Sequence, residues 1–174
     1  MFFADQGVMG RAKEVELVCL DFDGTLTDGM VYVDETGCET VRCSRRDSLG
    51  IEMLKAAGIA VFVISKETNP VVAARCKKMN VRCEQGVASG EDKAVILRRL
   101  AEGVGVKLEA IAYMGDDVND IAALQLVGLA VAPADAHPKV RKVAHHLTEA
   151  RGGNHAVREL CDLILEAQGK SSDM

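Results

Sequence analysis

The stretch Val15-Glu16-Leu17-Val18-Cys19-Leu20-Asp21-Phe22-Asp23-Gly24-Thr25 sets a short apolar run directly before two carboxylates one residue apart. Near-continuous hydrophobicity from Val15 to Leu20 predicts a strand covered on both faces, as strands of parallel sheets are. Side chains alternate along a strand, so Asp21 and Asp23 begin on the same side. The carboxyl ends of strands are also where open α/β sheets bind ligands. Carboxylates this close repel unless a cation, a shared proton or hydrogen bonds compensate. Gly24 permits the sharp exit such a site needs. Taken alone, Asp-x-Asp-Gly is more often a turn with a helix cap.

Working outward, similar runs recur at Ile59 to Ile64, Ala110 to Met114 and Gly128 to Ala132. Between them lie stretches of helical period: Leu49 to Ala57, Pro70 to Lys78, Glu91 to Glu102 and Asp120 to Val127. Asn69-Pro70 fits a cap followed by proline at the first helical position. Gly58 and Gly128 follow two of these helices, where a left-handed stop is expected. Strand and helix in alternation predict an α/β fold with a doubly wound, mainly parallel, Rossmann-like sheet. One segment breaks the rhythm. Met30 to Asp34 and Glu39 to Cys43 flank Glu35-Thr36-Gly37 and read as a β-hairpin inserted after the first strand. Ala156 to Ala167 predicts a closing helix, and no second domain is visible. The expected organisation is an N-terminal extension over 1–12, one domain over 13–169 and a flexible tail over 170–174.

The chain has 174 residues, of which 48% are hydrophobic and 27% charged, so it reads as one globular domain rather than a disordered chain. A formal charge of −5 argues against a nucleic-acid partner, which needs clustered basic charge. No stretch approaches the roughly 18 apolar residues of a membrane span, and no secretory signal is visible at the N-terminus. The six cysteines form no Cys-x-x-Cys pair, and the four histidines lack metal-site spacing with them. The expected compartment is the reducing cytoplasm.

A second acidic cluster changes the weight of the first. Tyr113-Met114-Gly115-Asp116-Asp117-Val118-Asn119-Asp120 repeats the arrangement of apolar strand, glycine and carboxylates. Two acidic strand ends in one parallel sheet are suited to a hard divalent ion such as Mg²⁺. Ser65 closes the strand before it, and Lys93 opens a helix after Asp92. Alone, Ser65 reads as a cap and Lys93 as a solvated side chain. In this order they suggest phosphoryl transfer. Asp21 is the expected nucleophile, forming an aspartyl-phosphate. Asp23 is the expected general acid and base. Ser65, Lys93 and backbone amides near Phe22 and Asp23 would stabilise the transferring group. Asp116 would complete the metal shell, with Asp117 and Asp120 orienting waters or Lys93.

Asp21-Phe22-Asp23-Gly24-Thr25, Ser65, Lys93 and Gly115-Asp116-Asp117 resemble the four ordered motifs of the haloacid dehalogenase superfamily of phosphatases. The resemblance is closest to the small, capless 3-deoxy-D-manno-octulosonate 8-phosphate phosphatases. Relatives act on nine-carbon sugar-acid phosphates or form the C-terminal domain of acylneuraminate cytidylyltransferases. It extends over Leu26-Thr27-Asp28-Gly29, the hairpin, Arg46-Asp47-Ser48-Leu49-Gly50-Ile51, Ala134-Asp135-Ala136-His137-Pro138 and Arg151-Gly152-Gly153. It implies Mg²⁺ held by Asp21, the backbone carbonyl of Asp23, and Asp116, and a small-molecule phosphate monoester as substrate. It also implies a homotetramer whose hairpins pair centrally while a neighbour covers each site. By position, Arg46, Asp47, Arg75 and Lys93 would line the substrate pocket, although Arg75 on a helix also reads as surface charge. One departure stands out: these phosphatases usually carry Thr-Gly-Arg where this chain has Ser65-Lys66-Glu67, reversing a charge that would help bind an anionic sugar acid. Two rival readings are a phospho-accepting receiver-like signalling domain and a non-catalytic tetramerisation domain. Asp23, two positions beyond the nucleophile, favours the enzyme.

Overall fold

The computed structural model describes residues 5–86 and 93–170. Six strands form one parallel sheet: β1 (Leu17–Leu20), β4 (Ala60–Ile64), β5 (Arg82–Glu84), β6 (Ile111–Met114), β7 (Leu129–Ala132) and β8 (His146–Leu147). Their order is β5-β4-β1-β6-β7-β8, and every pairing is parallel. The strand that carries Asp21 is therefore central, with β4 on one side and β6 on the other. The two strands missed in the sequence, β5 and β8, are the edges. They carry no long apolar run because each is paired along one side only.

Alternation along β1 divides the core in two. Val18 and Leu20 face α1 (Gln6–Lys13), α2 (Arg45–Ala56), α3 (Pro70–Met79) and α7 (Ala156–Ala167). Leu17 and Cys19 face α4 (Lys93–Val104), α5 (Ile121–Leu124) and α6 (Pro138–Arg141). Helices thus cover both faces, and all four residues are fully buried. Local chemistry sets several helix starts. Ser44 Oγ accepts from Arg46 N and Asp47 N, so α2 begins four residues earlier than its apolar period suggests. Asn69 Oδ1 accepts from Val71 N with Pro70 in the first turn of α3.

Two other expectations need adjustment. The N-terminal stretch read as an extension forms α1, which buries Val8 and Ala12 in the same core as α7. The helix expected over Asp120 to Val127 is a 3-10 turn at Val118–Asp120 followed by the short α5. The expected start of the fourth helix at Glu91 and most of the expected tail lie outside the described residues. Among the described residues no helix is long and apolar enough to cross a membrane. All six cysteines are free.

The inserted hairpin, β2 (Thr27–Val33) and β3 (Glu39–Cys43), is antiparallel and forms a separate two-stranded sheet. Along β2, Met30 is 68% and Tyr32 69% exposed, with Val31 and Val33 exposed beside them. Its turn end is tethered by Asn69 Nδ2, which donates to Glu39 Oε2 at 2.8 Å.

Candidate active site

The carboxyl ends of β1 and β6 are stitched together by Asp21 N, which donates to Met114 O at 2.9 Å. That bond sets the two acidic loops side by side at the centre of the sheet. Oxygens of Asp21, Asp116 and Asp120 lie within 4.8 Å of one another. Lys93, at the start of α4 and 2% exposed, places Nζ 2.6 Å from Asp21 Oδ1 and 2.7 Å from Asp120 Oδ1.

Asp120 has little capacity left for anything else. Its Oδ1 accepts from Lys93 and from the Tyr113 hydroxyl at 2.7 Å, and its Oδ2 accepts from Asp116 N and Asp117 N at 3.1 and 3.2 Å. It fixes both the Lys93 ammonium and the turn that carries Asp116. Asp116 Oδ1, by contrast, is buried and has no hydrogen-bond partner. A buried carboxylate oxygen without a donor is costly, and a hard divalent cation shared with Asp21 satisfies it. The oxygen donors present therefore fit Mg²⁺.

Two glycines make this approach possible. Gly24 has φ +76°, and a Cβ there would collide with the Asp116 carboxylate. Gly152 lies so close that its own Cβ would strike the Gly24 carbonyl oxygen, while the next residue's N–H donates to Thr25 O at 3.0 Å. The loop before α7 thus braces the loop after β1.

Electrostatics follow from this crowding. Burial, then the neighbouring Asp120 carboxylate, push Asp21 well above the usual carboxylate range against the opposing pull of Lys93. Burial, then Asp120 and Asp117, raise Asp116 to about 7. Burial works against the Lys93 ammonium, yet Asp21 and Asp120 hold its pKa above the ordinary lysine value. Asp23, half-buried on the cavity wall, is raised by burial and by Glu67 and Glu39, with Lys93 opposing. A carboxyl whose affinity for its proton is raised in this way is better suited to proton donation than an ordinary one.

The carboxylates open onto a cavity of about 440 Å³ lined by Asp21, Asp23, Lys66, Glu67, Lys93 and Asp116, among others. Asp117 also reaches this lining, while its carboxylate caps the following 3-10 turn through Val118 N at 2.7 Å. Ser65 lies beneath the wall, fully buried, and its Oγ accepts from Glu67 N at 3.1 Å. Sequence reading missed Gly29, Val118 and Asn119 on the lining, and Tyr113 behind it. Only Tyr113 left a signal, since a buried tyrosine hydroxyl in an aliphatic strand needs a partner.

Arg46, Asp47 and Arg75 do not line this cavity within one chain. Arg46 is exposed at the start of α2. Arg75 Nη2 donates to Ser44 O at 3.0 Å and to the Ser48 hydroxyl, joining α3 to α2. Asp47 is 1% exposed, and its Oδ1 accepts from Arg158 N at 2.9 Å in the first turn of α7. It caps a helix far along the chain, next to His155 with φ 82° and the bracing Gly152 loop. Asp47→Ala is expected to lower stability by about 1–2 kcal/mol, the size of a lost cap, as measured by urea unfolding. Asp47→Asn keeps an acceptor and costs less.

Comparison with known proteins agrees with this geometry. A family model for haloacid dehalogenase-like hydrolases matches residues 64–158. The 3-deoxy-D-manno-octulosonate 8-phosphate phosphatase of Escherichia coli (strain B / BL21-DE3) is 38% identical over 164 residues, covering 94% of this chain and 86% of its own. The crystal structure of the enzyme of that name from Yersinia pestis superposes with a TM-score of 0.91 at 36% identity, over 95% of this chain and 89% of the other. The Moraxella catarrhalis enzyme, solved with magnesium, phosphate and KDO, gives 0.89 at 33% identity, over 94% and 93% of the two chains. With carboxylates from β1 and β6 converging beside a buried lysine, and with similarity to 3-deoxy-D-manno-octulosonate 8-phosphate phosphatases running nearly end to end, the chain belongs to the haloacid dehalogenase-like hydrolases and is a phosphoric monoester hydrolase.

Proposed function

We propose that this chain is a Mg²⁺-dependent, cytoplasmic phosphatase of sugar-acid phosphates, acting through an aspartyl-phosphate on Asp21. The observation that carries the reading is the Asp21 carboxylate, 2.6 Å from Lys93 and within 4.8 Å of Asp116 and Asp120, at the floor of a cavity walled by Asp23. An Asp21 oxygen attacks phosphorus while the bond to the sugar oxygen breaks, and Asp23 gives its proton to the departing alkoxide. Asp23 then takes a proton from water, whose oxygen attacks phosphorus and frees Asp21 and inorganic phosphate. Lys93 balances charge on the transferring group, and Asp120 holds Lys93 in place. Asp21, Asp116 and the Asp23 carbonyl would hold Mg²⁺, which would supply further positive charge for the transferring group. Phosphate release from a panel of sugar, sugar-acid and nucleotide monophosphates tests the substrate class. A preference for nucleotides would overturn it.

Because Asp116 must lose its proton to bind the cation, apparent Mg²⁺ affinity is expected to rise with pH up to about 7 and then level off. Calorimetry across pH 5 to 8 measures this, and a flat profile would remove Asp116 from the ligand set.

The cavity also frames the substrate. Lys66 and Glu67 present opposite charges at its wall, and the carboxylate of an eight-carbon sugar acid would meet Glu67 unfavourably. Glu67→Arg is expected to raise kcat/KM for 3-deoxy-D-manno-octulosonate 8-phosphate about tenfold, the size of one charge-assisted hydrogen bond. No gain would exclude Glu67 from substrate selection.

The apolar exposure of β2 suits pairing of hairpins between copies, as in a homotetramer that also shields each cavity from water. Tyr32→Asp is expected to shift the mass in light scattering to that of smaller species.

A further inference from the structure

The turn that follows β7, residues 133–137, carries none of the proposed cation ligands, yet it is bonded toward both loops that do. At its end His137 N donates to Asp116 O at 2.8 Å and so holds the loop after β6. Nearer its start Asp135 Oδ1 accepts from Gly152 N at 3.0 Å. Gly152 is pressed on Gly24, and Gly153 N donates to Thr25 O at 3.0 Å. One short turn thus reaches Asp116 directly, and reaches the loop after β1 through the glycine pair.

Other contacts fix the glycine loop only on its upstream side. Ala134 N donates to Ala150 O at 3.1 Å, and the Thr148 hydroxyl donates to the same carbonyl at 2.7 Å. The Glu159 carboxylate accepts from Glu149 N and Ala150 N, both at 3.0 Å. Two residues further on, it is the exposed Asp135 that supplies the acceptor for the buried Gly152 N. Removing that acceptor leaves a buried N–H unpaired, which is costly. Neither glycine has a side chain to anchor it instead. The loop after β1 would then lose the surface that Gly152 presents to Gly24, the residue directly after Asp23. Mg²⁺ demands near-ideal octahedral geometry, so the spacing of the two acidic loops bears directly on its affinity.

We infer that Asp135 is a positioning residue for the cation site: by holding Gly152, and through it Gly24, it sets the loop after β1 at the distance from Asp116 that a shared divalent ion requires. The inference rests on the reading of Asp21 and Asp116 as cation ligands. Asp135 itself touches neither the ion nor the substrate.

Mg²⁺ is titrated by calorimetry into the substrate-free full chain at pH 8, above the Asp116 range, and at fixed ionic strength. Melting temperatures are recorded in EDTA. Asp135→Ala is expected to weaken Mg²⁺ binding about tenfold or more, the scale of a lost outer partner in a metal site. Asp135→Asn keeps an oxygen that can accept from Gly152 N and is expected to restore most of the affinity. Because asparagine lacks the charge, an equal loss in both variants would mean that Asp135 acts through its field, and would overturn the positioning role. Asp5→Ala removes the acceptor that caps α1 and supports neither acidic loop. It is expected to lower the melting temperature and leave Mg²⁺ affinity unchanged; a fall in affinity matching that of Asp135→Ala would show that general destabilisation suffices. Normal binding by both the unaltered chain and Asp135→Ala would sink this inference alone. Heats from the unaltered chain that fail to saturate up to about 10 mM would sink the cation site as well.

Discussion

Asp21→Asn is expected to reduce turnover by about 10,000-fold or more, the scale seen when a nucleophile is removed from an assembled site, while the protein folds normally. Asparagine keeps the shape of the side chain but cannot form the acyl phosphate. The accompanying stability change distinguishes this from general damage. Burial and Asp120 already disfavour a charged Asp21, so a neutral isostere removes repulsion at the cost of one contact to Lys93. Without metal, thermal stability should therefore stay level or rise. Loss of activity together with a large fall in melting temperature would mean that Asp21 acts mainly as scaffold. Retention of more than about one-hundredth of the turnover would exclude it as nucleophile.

Lys93→Met has the opposite signature, with both quantities falling. Lys93 is the cation within reach of Asp21 and Asp120, and both partners are almost completely buried. Removing one member of a buried pair leaves uncompensated charge and costs about 3–5 kcal/mol. Turnover should fall about 100-fold or more for want of charge balance on the transferring group. The stability loss should itself depend on pH. Asp21 and Asp116 bind protons more tightly in the folded chain than in the unfolded one, Asp116 up to about 7. Their protonation favours folding fully below the ordinary carboxylate range, and the Asp116 share of this benefit disappears as pH rises through about 7. The metal-free variant is thus expected to be markedly more stable at pH 5 than at pH 8, with Mg²⁺ restoring part of the difference. A pH-independent loss would place the role of Lys93 in packing alone.

Much of this architecture is legible in the sequence because burial on two faces writes itself into composition. Val18, Val61, Ala112 and Val131 lie in strands whose apolar runs foretell them to within two residues. The edges β5 and β8 escape, since Arg82-Cys83-Glu84 and His146-Leu147 need only one paired side and are partly open to water. Helix α1 escapes because Val8 and Ala12 are its only buried residues. Asp21, Asp23, Lys93 and Asp116 stand out because carboxylates at strand ends have few reasons to cluster. The supporting contacts are hidden for a different reason. The cap that Asp47 gives to α7 and the seat that Gly152 gives to Gly24 join segments more than a hundred residues apart, and neither residue type announces a distant partner.

The central place of β1 also bears on the order of events during synthesis. Asp21 leaves the ribosome early, yet the strand that must lie beside it, β6, is made roughly ninety residues later. Until then the nascent chain carries an acidic loop without its opposing aspartate, and for most of that interval without its lysine. Cation capture is therefore a late event in maturation, and a truncated translation product ending before β6 would be unable to sequester the ion.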